Sequence, residues 1–295
     1  MLMSLFILCS FIIVCQKSDD ALTKQTIENA EKLIGLTFTD VKRDSMLDDL
    51  NEHLQNYQNI RKVDLKNSIP PAILFNPIPA TTTFETEQKP FKMSNYKNTT
   101  MPENIEDLAF YSIGQLAELL KTKKVTSTQL TQMYIKRLKK YGPTLECVIT
   151  LTEDIALQQA KRADDEISAG NYKGPLHGIP FGIKDLLSTR GYKTTWGAMP
   201  YKDQFIDEDA TVVKKLERTG AVLVAKLTMG ALAWGDVWYG GKTRNPWDIT
   251  QGSSGSSAGS ASAVSAGLVP FAIGTETWGS IVSPCTVCGV TGLRP

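Results

Sequence analysis

Gly252-Ser253-Ser254-Gly255-Ser256-Ser257-Ala258-Gly259-Ser260 leads through an Ala/Val-rich run to Gly267 and then into Leu268-Val269-Pro270-Phe271-Ala272-Ile273-Gly274. In isolation, the Gly/Ser portion has the composition of a flexible linker. A linker has no reason to run into a small-residue helical pattern and an apolar strand, whereas a tight turn packed under a helix needs small residues. A phosphate-cradling loop does not fit, because both the G-x-x-x-x-G-K-[ST] lysine and the G-x-G-x-x-G spacing are missing.

Upstream, the pattern alternates. Ser112 with Gln115 three residues later has the form of a capping box, opening a helix through Leu116, Leu119 and Leu120. A second helix carries Leu130, Tyr134 and Leu138 on one face. Residues 147–151 read as a buried strand, 154–169 as a helix stopped by Gly170, and 181–184 as another strand, with a further helix and strand at 212–216 and 221–225. Strands apolar on both sides need cover on both faces, so the expected fold is α/β, a sheet with helices on either side.

Nearer the N-terminus, residues 23–34 and 44–60 have helical periodicity, the second with Leu47, Leu50, Leu54 and Tyr57 in step, and Gly35 is a stop for the first. Pro70, Pro71, Pro77 and Pro79 interrupt the next segment. The organisation expected is a leader at 1–15, a helical extension at 16–64, an extended connector at 65–104 and the main domain at 105–295.

The chain has 295 residues, 42% hydrophobic and 21% charged, which is ordinary for a globular protein with a sizeable core. With 32 Lys and Arg against 31 Asp and Glu, the net charge of +1 supplies no field to gather nucleic acid, and the expected partner is a small molecule or peptide. His53 and His177 are the two histidines. Neither has ligands at metal spacing around it, so no metal and no cofactor is expected; His53 reads as a solvated residue and His177 as a structural one. Cys285-Thr286-Val287-Cys288 lacks both a second zinc pair and a thioredoxin-like context, and reads as small apolar residues.

Gly255-Ser256-Ser257-Ala258-Gly259-Ser260, Gly274-Thr275-Glu276-Thr277-Trp278-Gly279-Ser280-Ile281 and the upstream Gly178-Ile179-Pro180-Phe181-Gly182-Ile183-Lys184-Asp185 together resemble the motifs of the amidase signature family. The resemblance extends from about Leu108 to Pro295 and includes Gly220–Lys226 and Thr243–Trp247. It implies a hydrolase of carbon–nitrogen amide bonds in which Ser280 is the nucleophile, Ser256 a bridging serine and Lys184 the base, acting through an acyl-enzyme. It also implies that the α/β fold is built on a mixed sheet, a cis peptide between Gly255 and Ser256 and an oxyanion hole made by the backbone N–H groups of Thr277, Trp278, Gly279 and Ser280. The chemistry is physically consistent: a serine hydroxyl needs a proton acceptor, histidine is scarce, and desolvation among Phe181, Ile183 and Leu186 lowers the pKa of a lysine toward the useful range. Asp185 and Arg244 read as structural hydrogen-bonding residues, Lys226 as scaffold, and Trp278, where the family often has Gly or Asp, as a residue that narrows or gates the acyl pocket.

Two alternatives stand beside this amidase of small amides or amidated peptides: an ammonia-releasing subunit of the glutamyl-tRNA amidotransferase type, and a non-catalytic binding lipoprotein on an amidase scaffold. The chain ends inside the resemblance, at Gly292-Leu293-Arg294-Pro295, and is expected to be a part of the catalytic domain. The apolar run from Leu5 to Val14, followed by Cys15 and polar Gln16-Lys17-Ser18, reads as a secretion signal of lipoprotein type with Cys15 lipidated, simple cleavage and an uncleaved anchor being the alternatives. The expected location is therefore exported, periplasmic or on the outer surface, held at the membrane by lipid.

Overall fold

The computed structural model describes residues 21–294 apart from 67, 68, 74, 75, 77, 80, 91 and 93, so the leader and Cys15 lie outside the described residues. Two compact units are present, 1–88 and 89–295, and their division falls within the Pro-interrupted segment.

In the first unit, Lys24–Ile34 (α1) and Asp40–Arg61 (α2) form a helical hairpin. Thr23 and Thr26 make a reciprocal capping box, and Gly35 ends α1 in the left-handed conformation at φ 67°. Helix α2 begins four residues earlier than the periodicity indicates. Thr39 caps it, accepting a hydrogen bond from the Lys42 N–H at 3.4 Å, and a cap acts ahead of the first apolar residue of a pattern. Arg43 spans the hairpin with a two-pronged contact to Glu31 at 2.7 and 2.6 Å.

The second unit is built on a mixed four-stranded sheet. Val148–Leu151 (β1), Pro180–Lys184 (β2) and Val222–Leu227 (β3) come first in the chain. Val237–Trp238 (β4) pairs with Gly241–Lys242 (β5), and Arg244–Asn245 (β6) pairs with Asp248–Gly252 (β7), as two small antiparallel ladders. Ala272–Ile273 (β8) completes the main sheet in the order β1-β3-β2-β8, with β1 antiparallel to β3 and the other pairs parallel.

Ile113–Lys121 (α3), opened by the Ser112/Gln115 capping box, and Ser127–Leu145 (α4) precede β1. Glu153–Ser168 (α5) lies between β1 and β2 and Thr211–Arg218 (α6) between β2 and β3, while Ala258–Ser265 (α7) precedes β8 and Val282–Cys288 (α8) follows it. The core divides as an alternating strand requires. Val222 and Val224 of β3 join Ile135 and Leu138 of α4, Ala156 and Ala160 of α5 and Ala263 of α7 in one cluster. Leu223, between them, joins Phe181, Ile183 and Val213 of α6 in another. Every residue of β2 and β3 is buried, as expected of strands covered on both faces.

The C-terminal strand is shorter than its apolar run. Leu268 and Val269 are buried but outside the ladder, and Pro270 has no N–H to offer a partner strand, so pairing is confined to Ala272–Ile273. The Gly/Ser stretch forms the turn into α7. A Cβ at Gly259 would collide with backbone atoms of Thr228 and Cys147, so the residue that lets α7 approach the sheet has to be glycine.

Candidate active site

Three segments converge at the ends of β2 and β8 and at the start of α7. Parallel pairing matches Gly182 with Ala272 and Ile183 with Ile273, which carries Lys184, one step on, to the level of Gly274 and Thr275. Lys184 is wholly buried. Its Nζ lies 2.8 Å from Ser256 Oγ, 2.9 Å from Thr275 Oγ1 and 3.3 Å from the Thr275 carbonyl oxygen. Desolvation pulls its pKa down from the usual lysine range to about 8.

A neutral lysine has two N–H donors and one lone pair, and it has three partners here. The Thr275 carbonyl only accepts and takes one N–H; of the two hydroxyls, Thr275 Oγ1 and Ser256 Oγ, either can take the second N–H while the other faces the lone pair.

Ser256 is buried and follows Gly255 through a cis peptide bond. Its carbonyl accepts the Gly230 N–H at 3.3 Å. The neighbouring Ser257 N–H donates to the Ser280 carbonyl at 3.0 Å, which holds the two serine segments side by side. Ser257 Oγ also donates to the Thr275 carbonyl at 3.1 Å and accepts the Thr275 N–H at 3.2 Å, tying α7 to the segment leading to Ser280. Ser280 itself is half-buried.

Glu276 organises that segment. Its Oε2 accepts the N–H groups of Ile281 at 2.7 Å and Val282 at 2.9 Å, and Arg294 lies 3.4 Å from its Oε1. The Val282 and Ile281 amides are the largest causes holding this carboxyl below its ordinary range, and the Gly279 amide contributes. Among the described residues, none accepts a hydrogen bond from the N–H groups of Thr277, Trp278 or Ser280.

The weaker polar positions resolve into scaffold contacts. Asp185 and Lys226 form a fully buried ion pair at 3.0 Å; Asp185 Oδ2 accepts from the Thr195 N–H at 2.8 Å and its hydroxyl at 2.5 Å, and Lys226 donates to the Leu187 carbonyl and Thr194 Oγ1. Burial raises the Asp185 carboxyl and lowers the Lys226 amine, each opposed by the charge of the other. Arg244 reaches Glu146 at 3.4 Å. His177 Nδ1 accepts the Lys173 N–H, which leaves Nε2 to donate to Glu166 at 2.8 Å; it is a buried structural residue, while His53 is exposed. Cys285 and Cys288 are free cysteines on α8, and burial pushes the Cys288 thiol up to about 12, the reverse of what a reactive thiol needs.

Of the residues singled out from sequence, Lys184 and Ser256 are in direct contact, and Ser280 is brought beside them by the backbone. Thr275, Ser257 and Glu276 stand inside the motifs, but the sequence alone assigned them no role. For Thr275, the signal was its position beside a strand that pairs with the lysine strand.

The family model described as Amidase matches residues 129–295, more than half of the chain, and the chain belongs to that family. The A subunit of glutamyl-tRNA(Gln) amidotransferase from Coxiella burnetii (strain RSA 493 / Nine Mile phase I) is 42% identical over 187 residues, covering 62% of this chain and 38% of that protein. Its namesake from Acinetobacter baumannii (strain AYE) is 43% identical over 192 residues, covering 64% and 39%. Among solved structures, native peptide amidase from Stenotrophomonas maltophilia superposes with a TM-score of 0.61 at 38% identity, covering 64% of this chain and 41% of that one. The chain spans about two fifths of the length of these relatives.

Proposed function

We propose that this chain carries the nucleophilic half of an amidase that hydrolyses small amides or amidated peptides through Lys184, Ser256 and Ser280. The observation that carries the reading is the wholly buried Lys184, with its lowered pKa, 2.8 Å from Ser256 Oγ. Neutral Lys184 takes the Ser256 proton as Ser256 takes that of Ser280, and Ser280 Oγ attacks the amide carbonyl. The tetrahedral oxyanion is received by backbone N–H groups in the 277–280 segment, those of Thr277, Trp278 and Ser280 having no protein acceptor among the described residues. Collapse breaks the C–N bond, and the departing amine takes the relayed proton. Water then enters by the same relay, cleaves the acyl-enzyme ester and releases the carboxylic acid.

The identity with the amidotransferase proteins supports a second reading, in which the released ammonia passes to a partner protein. Initial rates of amine or ammonia release from an amide panel, for the full-length protein and its Ser280→Ala and Lys184→Ala variants, test the first. Both substitutions should abolish release, and activity that survives Ser280→Ala would overturn the nucleophile assignment. For the leader, we propose export and lipid attachment at Cys15; labelled palmitate incorporated in a bacterial host should be lost in Cys15→Ser, and equal incorporation in both would refute it.

A further inference from the structure

Trp234 and Trp278 stack on one another beside the proposed nucleophile, their ring centroids 6.3 Å apart and their planes 21° from parallel. Despite this contact they remain 74% and 81% exposed. Trp278 stands two residues before Ser280, within the segment whose amides would receive the oxyanion.

Trp234 reaches the same place from a different part of the chain, on a loop fastened to the bridging serine. The Gly230 N–H donates to the Ser256 carbonyl at 3.3 Å, and the Ser254 N–H to Asp236 Oδ2 at 3.0 Å. Gly255 lies so close to the Gly235 carbonyl that a Cβ at 255 would overlap it. Within the loop, Leu232 and Ala233 take left-handed backbone at φ 51° and 66°, and the Leu232 N–H donates to the Trp196 carbonyl at 2.9 Å. The Trp234 ring is therefore carried on backbone pinned at both ends to the residues flanking Ser256.

We infer that the Trp234–Trp278 pair is an aromatic subsite that selects amides bearing an aryl group. This rests on Ser280 being the nucleophile, which sets where the carbonyl sits. A ligand ring inserted between the indoles would need them about 7 Å apart, two stacking distances of roughly 3.5 Å. At 6.3 Å with the planes inclined, the pair leaves no such slot, so the ligand ring would pack against an outer indole surface, face or edge on.

Calorimetric titration of the full chain carrying Ser280→Ala, which separates binding from turnover, tests the subsite with phenylacetamide, cyclohexylacetamide and acetamide. Phenylacetamide should bind most tightly, and adding Trp234→Ala should weaken it about tenfold while Trp234→Phe retains most of the affinity. Trp234 is exposed, so its truncation leaves the core intact, and Trp278→Leu provides an independent second variant. Equal affinity with and without the Trp234 ring, no preference for phenyl over cyclohexyl, or no phenylacetamide binding would each overturn the inference. If the full-length protein releases no amine from any amide yet binds phenylacetamide in this ring-dependent way, the hydrolytic reading falls and, with it, the placement of the subsite against a scissile carbonyl, whereas aryl binding by the two indoles stands.

Discussion

Raising the pH from 7 to 9 should increase kcat/KM for amide hydrolysis roughly tenfold, because Lys184 has to be neutral to accept a proton. Burial disfavours its ammonium form, with no opposing carboxylate among the causes of the shift, and brings the pKa to about 8. About one tenth of the chains then carry the neutral amine at pH 7 and about nine tenths at pH 9. Activity is lost as pH falls through 8 and reaches a plateau above 9. Initial rates well below KM, followed by ammonia release at constant ionic strength, report the free-enzyme pKa directly. A flat profile between pH 7 and 9, or a limb appearing only above pH 10, would refute the argument that desolvation activates this lysine. Stability supplies an independent check, with the sign fixed by linkage. The folded pKa is below the unfolded one, so the burial cost is full below pH 8 and fades as pH rises toward 10.5. The stability of Lys184→Met relative to the parent should therefore decline by about 3 kcal/mol between pH 7 and 10.5, as measured by urea unfolding.

Thr275→Val removes one partner of the amine and should lower kcat about tenfold while moving the pH limb toward acid, since a hydroxyl acceptor favours the ammonium form; a pH–rate profile checks both. Asp185→Ala leaves the Lys226 ammonium buried without its counter-charge and should cost about 3–5 kcal/mol in denaturant unfolding, much of it recovered when Lys226→Met is added. Gly255→Ala forces a methyl into the Gly235 carbonyl, backbone against backbone, and should destabilise by roughly 1–3 kcal/mol, seen as a lower melting temperature and reduced activity together.

Much of this architecture was legible because it is local. The Ser112/Gln115 box and the Gly35 stop are signals within four residues of the structure they create, and both occur where the pattern puts them. The continuous burial of β2 follows from Pro-Phe-Gly-Ile preceding Lys184, and that same run removes water from the lysine. What escaped reading is pairwise. The hand-over from Lys184 to Thr275 depends on the β2–β8 register, which two short strands separated by most of a hundred residues do not announce. The antiparallel entry of β1 beside β3, within an otherwise parallel sheet, is likewise set by how distant segments meet.

The same distinction explains the two tryptophans. Trp278 was conspicuous inside its motif, whereas Trp234 has no local pattern to mark it and becomes relevant only because Gly230 and Gly235 fasten its loop to the Gly255–Ser256 step. One pair of adjacent residues thus serves two ends: Ser256 contacts the lysine through its hydroxyl and anchors the Trp234 loop through its carbonyl, while Gly255 leaves room for the loop to approach. Changes to that step should therefore disturb reactivity and aryl preference together, whereas truncating Trp234 should alter preference alone.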